Sequence, residues 1–177
     1  MRQWTAVVLL GSLLAGCQGM LPGSDGRPPE IIDRSEQAPG SAVVERKVAF
    51  PADTYAKLEK RGNATIKGRL RYTTAQGRTL VGANEQISIA PATAYSAEAA
   101  DVALAGKRIE PADPRAREYT HYARTDGDGY FVARGIPAGV FYVAGSVLLP
   151  DGKSRSPLIL KQVKIGAGQT REVDLSR

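Results

Sequence analysis

Thr125-Asp126-Gly127-Asp128-Gly129-Tyr130-Phe131 leads, across four intervening residues, into Ile136-Pro137-Ala138-Gly139-Val140-Phe141-Tyr142-Val143. Each piece sets Gly, Pro or Asp directly before an apolar run of period two. An Asp at the head of such a turn accepts backbone N–H groups two residues on, and a Gly that follows tolerates positive φ. Asp-Gly between alternating runs is a strong hairpin signal. The stretch therefore predicts a hairpin in which Tyr130 to Ala133 pairs back on Tyr119 to Thr125. Phe131 and Phe141 enter a shared core from neighbouring strands.

The same rhythm extends both ways. Ala64 to Tyr72 alternates, with Ile66, Leu70 and Tyr72 on one face and Lys67, Arg69 and Arg71 on the other. Period two with one polar face means a half-buried antiparallel strand. A turn around Gly77 follows, then a short strand Gln86 to Ala90 closed by Pro91. Downstream lie Val140 to Leu149, Leu158 to Ile165 and Thr170 to Leu175, separated by Asp151-Gly152 and Gly166-Ala167-Gly168. Upstream, Val43 to Phe50 reads as a leading strand. Pro51 to Lys60 reads as one or two helical turns with Tyr55 and Leu58 inward. Ala92 to Arg117 breaks the β rhythm: Ser96 to Leu104 suits a short helix with Ser96 as its N-cap, and Pro111 and Pro114 prevent a further regular element. Short strands between Gly- and Pro-rich turns predict an all-β sandwich of about seven strands with a short helical insertion.

At 177 residues with 42% hydrophobic and 24% charged residues, the chain has ordinary globular usage and room for about one domain. Its one cysteine and one histidine exclude an intramolecular disulfide, a Cys-rich zinc site and a multi-histidine metal centre. The net charge of +6 is spread along the sequence, which speaks against a nucleic-acid footprint.

The N-terminus has the form of an export signal: Arg2, then an apolar run from Trp4 to Gly16, too short to span a bilayer. It ends in Leu14-Ala15-Gly16-Cys17, which resembles the bacterial lipobox. That resemblance implies cleavage before Cys17, a diacylglycerol on its thiol and acylation of its freed amine. Several acyl chains on one residue anchor stably. Gln18, where an Asp commonly retains lipoproteins at the inner membrane, points to the outer membrane of a Gram-negative cell. Gln18 to Ser41 is rich in Gly and Pro without apolar period, a flexible tether. The resulting organisation is a lipoprotein signal peptide over 1–16, a lipidated tether over 17–42 and one domain over 43–177.

The motif around Asp126 and Phe141 resembles the carboxypeptidase regulatory-like domain, a transthyretin-like (prealbumin-like) β-sandwich marked by Thr-Asp-x-x-Gly-x-Phe and then Pro-x-Gly-x-aromatic-x-Val. Ile66-Lys67-Gly68, Gly82-Ala83 and Gly168-Gln169-Thr170 also fit it, so the resemblance covers about residues 63–176. It implies the prealbumin-like subtype and is nearly silent on function. Transthyretin-like hydrolases use several histidines, and this chain has one.

Candidate chemistry is sparse. Asp126-Gly127-Asp128-Gly129 looks like part of a calcium loop, but the further oxygen ligands and bidentate Glu do not follow, so it reads as a structural turn. His121 lies on a strand without a nucleophile motif. No catalytic residue, metal ligand or cofactor site is expected. Lys67, Arg69 and Arg71, with Arg115, Arg117, Arg124 and Arg134, form either a solvated basic surface or a contact for an acidic partner or glycan. Tyr142 must face away from Phe141, either exposed or covered by the insertion.

The leading expectation is a non-catalytic binding or structural module, held at the membrane by a lipid anchor and docking to an envelope assembly, glycan or surface polymer. The alternative is a small-molecule hydrolase or carrier with a pocket near the 92–117 insertion. Loops of that length on a rigid scaffold are commonly functional. The insertion with Tyr119, Tyr122 and Arg124 is therefore the candidate contact surface, against a solvated excursion that merely caps the sandwich edge.

Overall fold

The computed structural model describes residues 43–177. The signal stretch, Cys17 and the tether lie outside the described residues. In chain order the elements are β1 (Val43–Val44), α1 (Ala52–Ala56), β2 (Ala64–Thr73), β3 (Thr79–Val81), β4 (Gln86–Pro91), α2 (Ala94–Leu104), β5 (Arg108–Ile109), α3 (Pro114–Arg117), β6 (His121–Arg124), β7 (Tyr130–Ile136), β8 (Gly139–Gly145), β9 (Ile159–Ile165) and β10 (Thr170–Ser176). Among the described residues no helix is long and apolar enough to cross a membrane.

Eight of these strands build two four-stranded sheets. In the first, β2 is central. β10 runs parallel along one edge, from Thr65 opposite Thr170 to Arg71 opposite Ser176. β7 and β3 run antiparallel along successive stretches of the other edge. The second sheet is antiparallel in the order β6-β4-β8-β9. The inner faces meet in one core. Ile66, Leu70, Phe131, Ile136, Val173 and Leu175 of the first sheet pack with Ile87, Ile89, Phe141, Val143, Ile159 and Ile165 of the second. Phe131 is 2% and Phe141 4% exposed, as the alternation requires. The architecture is an all-β sandwich.

Five details depart from the expectation. β6 and β7 form no hairpin: β6 pairs with β4 in the second sheet and β7 with β2 in the first. The Asp126 turn is a corner between sheets. Asp126 Oδ1 accepts the N–H groups of Asp128 and Tyr130, each at 2.9 Å. The buried Thr125 hydroxyl accepts the Glu85 N–H at 2.7 Å and donates to the Gly82 carbonyl at 2.6 Å. Gly129 sits at φ +82°, where a Cβ would lie 2.8 Å from the Leu70 carbonyl. The closing strand is parallel to its neighbour, because the Gly166–Gly168 turn carries the chain from the second sheet to the far edge of β2.

The expected leading strand shrinks to Val43–Val44, which pairs in parallel with β5 inside the insertion and adds nothing to the sandwich. Side chains capture the amides beyond it. The Glu98 carboxylate accepts from Lys47 N–H at 2.7 Å and Val48 N–H at 3.2 Å, and Glu110 accepts from Arg46 N–H at 3.0 Å. Finally, α2 starts earlier than read. Thr93 is its N-cap and Ser96 the third residue of a capping box: Thr93 Oγ1 accepts Ser96 N–H at 3.2 Å, and Ser96 Oγ accepts Thr93 N–H at 2.9 Å. Pro114 opens α3 rather than breaking it, since a first-turn proline lacks only an N–H that has no helical partner.

Candidate functional site

The insertion folds into a small layer with its own apolar centre. Tyr55, Tyr95 and Ala116 are buried, with Phe50, Leu58 and Tyr119 packed against them. Phe50 lies 4.8 Å from Tyr55 and 5.7 Å, edge-on, from Tyr95, and Tyr119 lies edge-on to Tyr55 at 5.3 Å. The polar tips are bonded. Tyr95 Oη accepts the Asp113 N–H at 2.8 Å, and Tyr55 Oη lies 3.2 Å from Thr93 Oγ1. Burial raises the Tyr55 hydroxyl above its ordinary value, against the lowering effect of that bond. The cluster ties α1, α2 and α3 into one unit.

Between this unit and the outer face of the second sheet lies a cavity of about 780 Å³. Sheet register dictates its floor. Tyr122, Ser88, Ala144 and Leu160 stand in one cross-strand row, and Ala90 and Tyr142 in the next. All six line the cavity. The roof is the face of α2 bearing Tyr95, Ser96, Ala99, Ala100 and Ala103, spaced three and four apart as one helical stripe requires. Between the larger Tyr95, Tyr122, Tyr142 and Leu160, both surfaces carry serine and alanine, which leave the gap unfilled. Such a space falls within the range of ligand sites, roughly 300–1,000 Å³.

The mouth is basic. Arg46, Lys107, Arg108, Arg117, Lys153 and Arg155 line the cavity against a single carboxylate, Glu110. Arg46 stacks 4.3 Å over the Tyr95 ring and donates to the Glu110 carbonyl at 3.0 Å. Arg155 is held in place: it pairs with the buried Glu85 and donates to Ser146 Oγ and the Ser146 carbonyl, each at 2.8 Å. Glu85 in turn accepts the Leu148 N–H at 2.8 Å.

The residues singled out from sequence are dispersed. Tyr122 lies on the cavity floor. Tyr119 belongs to the aromatic cluster and lines a separate depression of about 190 Å³, with Lys60 5.0 Å from its ring centre. Arg124 sits at the end of β6 and donates to the Asn84 carbonyl at 2.8 Å, outside the cavity lining. His121 is registered with Ile89, so it faces the core side, 6.5 Å from the Phe141 ring. Burial, then nearby Arg61, lowers its pKa below the ordinary histidine value. Lys67 and Arg71 pair with Glu172 and Asp174 across β2 and β10, and Arg69 stacks on Tyr130. Of the other arginines named, Arg117 reaches the cavity. Tyr142 is covered by the insertion. Among the described residues no three His, Cys, Asp or Glu side chains cluster as a metal site would need. Ser88, the alanines of floor and roof, Lys107, Lys153 and Arg155 are not singled out by the sequence. Their one local signal is the run of small residues at 88, 90, 99, 100 and 103.

No protein-family model matches the sequence, and no curated protein matches it. Among solved structures, a "putative carbohydrate binding protein" of Pseudomonas aeruginosa is 30% identical, with a TM-score of 0.62. The match covers 73% of this chain and 99% of that one. A "putative carbohydrate binding protein" of Bacteroides uniformis is 11% identical over 65% of this chain and 41% of its own, with a TM-score of 0.33. A DUF3823 family protein of Parabacteroides merdae is 17% identical over 66% and 46%, with a TM-score of 0.36. The chain belongs to the same family as the Pseudomonas aeruginosa protein.

Proposed function

We propose that this member of that family is a non-catalytic glycan-binding module whose site is the cavity between the second sheet and the insertion. The observation that carries the reading is the floor. Tyr122 and Tyr142 present aromatic rings beside Ser88 and a bed of alanines, inside a space large enough for one or two sugar rings. Sugars offer apolar C–H faces that lie well on such rings, and hydroxyls that bond to polar tips and rim side chains. The description of the Pseudomonas aeruginosa relative supports the same ligand class. The one histidine faces the core side and not the cavity, which favours binding over hydrolysis. The prealbumin-like subtype of the sandwich is part of the proposal, as is the location: Cys17 carries the lipid anchor, and the tether holds the domain off the outer membrane.

Binding of the full chain to a panel of defined oligosaccharides, wild type against Tyr142→Ala, tests the reading. Loss of most of the binding in the variant, with an unchanged urea midpoint, is the expected result. Binding that survives both Tyr142→Ala and Tyr122→Ala places the site elsewhere and defeats the assignment.

A further inference from the structure

We propose that the cavity selects acidic glycans, sugars carrying carboxylate or sulfate groups, over neutral ones; the inference rests on the glycan reading above. Four separate chain segments bring cations to one cavity. Arg46 comes from the stretch before α1, Lys107 and Arg108 from the stretch after α2, Arg117 from α3, and Lys153 and Arg155 from the loop between β8 and β9. Two of the six lining cations are committed. Arg155 is paired with Glu85, and Arg46 is folded onto Tyr95 and the Glu110 carbonyl. Among the described residues, Lys107, Arg108, Arg117 and Lys153 have no carboxylate within ion-pair distance. The single acid of the lining, Glu110, already accepts the Arg46 N–H.

The arrangement differs from the outer face of the first sheet, where Lys67 and Arg71 each have a carboxylate opposite. There two of the three β2 cations are neutralised in pairs, and the third, Arg69, is folded onto the Tyr130 ring. At the cavity they add. A recess walled by protein and lined by one sign of charge focuses the field and concentrates ions of the opposite sign. Arginine also matches carboxylate and sulfate oxygens with a two-pronged donor set. A neutral sugar would use the floor and leave these four cations unsatisfied by any partner. An acidic one uses both.

The test measures binding of the full chain to four probes: an oligogalacturonate, its carboxyl-reduced counterpart of the same length, a sulfated dextran oligomer and neutral dextran. A Lys107→Gln/Arg117→Gln variant should weaken the charged probes about tenfold while leaving the urea midpoint in place. An Arg134→Gln/Arg171→Gln variant, on the other sheet, should bind as the wild type does. Tighter binding of the oligogalacturonate than of its reduced form supports carboxylate recognition, and a preference for the dextran sulfate alone assigns the charge to sulfate. Equal affinity for charged and neutral sugars overturns the charge selectivity and leaves glycan binding standing. Equal losses in the two variants overturn the assignment of the charge to this cavity. Failure of all four probes, alongside failure of the oligosaccharide panel, overturns the glycan reading itself.

Discussion

Replacing Glu85 with Ala should destabilise the domain through one identifiable network. Glu85 is 7% exposed. Its carboxylate accepts the Leu148 N–H and the Arg155 guanidinium, joining the start of β4 to the loop between β8 and β9. Truncation removes one charge-assisted bond, about 1.5–3 kcal/mol, and orphans a backbone donor worth about 1 kcal/mol more. Breaking a fully buried ion pair costs about 3–5 kcal/mol. Here the Arg155 side chain is 27% exposed and keeps both Ser146 acceptors, so the lower end applies. The expected loss is about 3 kcal/mol. With an m-value of about 1.5 kcal/mol per molar urea, the unfolding midpoint falls by about 2 M. A double-mutant cycle with Arg155→Met separates the pair from everything else Glu85 does, and should return a coupling of about 2 kcal/mol. A coupling below about 0.5 kcal/mol, or a Glu85→Ala midpoint within error of the wild type, would refute the account.

Two further outcomes follow from the fold. Gly68→Ala puts a methyl group 1.9 Å from the Val173 carbonyl and 2.9 Å from the Phe131 ring, so β2 and β10 must part. The melting curve should show a loss of about 3 kcal/mol or more, and a loss under about 1 kcal/mol would mean the strands do not approach so closely. His121 has a folded pKa below its unfolded one, so the unfolded chain binds the extra proton first. Its contribution is complete at pH 8 and declines as pH falls below about 6.5 towards the depressed folded value. Urea midpoints should therefore drop between pH 8 and pH 5.5 in the wild type and drop less in His121→Phe; identical profiles would remove His121 from the pH response.

What could be read from the sequence was whatever depends on neighbours in the chain. Ile66 and Leu70 announce their burial by alternation. Phe131 and Phe141 do so by their place after turns, and Asp126 by the Gly residues that follow it. The choice between hairpin and corner is different, because the local chemistry of Asp126-Gly127 is the same in both. Thr125 settles it by bonding to Gly82 and Glu85, some forty residues away in the chain. Val43 to Phe50 carries strand-forming residues, yet Glu98 and Glu110 take its amides first. The cavity was harder still. Its cations come from four segments, and its walls alternate a few large side chains with small ones that leave no pattern in the sequence.

That the cavity stays open needs a physical cause, since the alanine face of α2 over Ser88, Ala90 and Ala144 could settle into closer contact. The anchors of α2 explain why it does not. Tyr95, at its first turn, is locked edge-on to Phe50 and bonded to Asp113. Glu98, on the face of α2 turned away from the cavity, is tied to the amides of Lys47 and Val48. The helix is thus fixed from behind and from one end. Below it, Tyr122, Tyr142 and Leu160 are the large side chains of the floor, standing beside Ser88, Ala90 and Ala144. A gap held open by the surrounding hydrogen bonds and aromatic contacts is ready before any ligand arrives, so binding need not spend interaction energy on ordering the walls. In this fold the sandwich core supplies rigidity, and the insertion converts one of its outer faces into a recess.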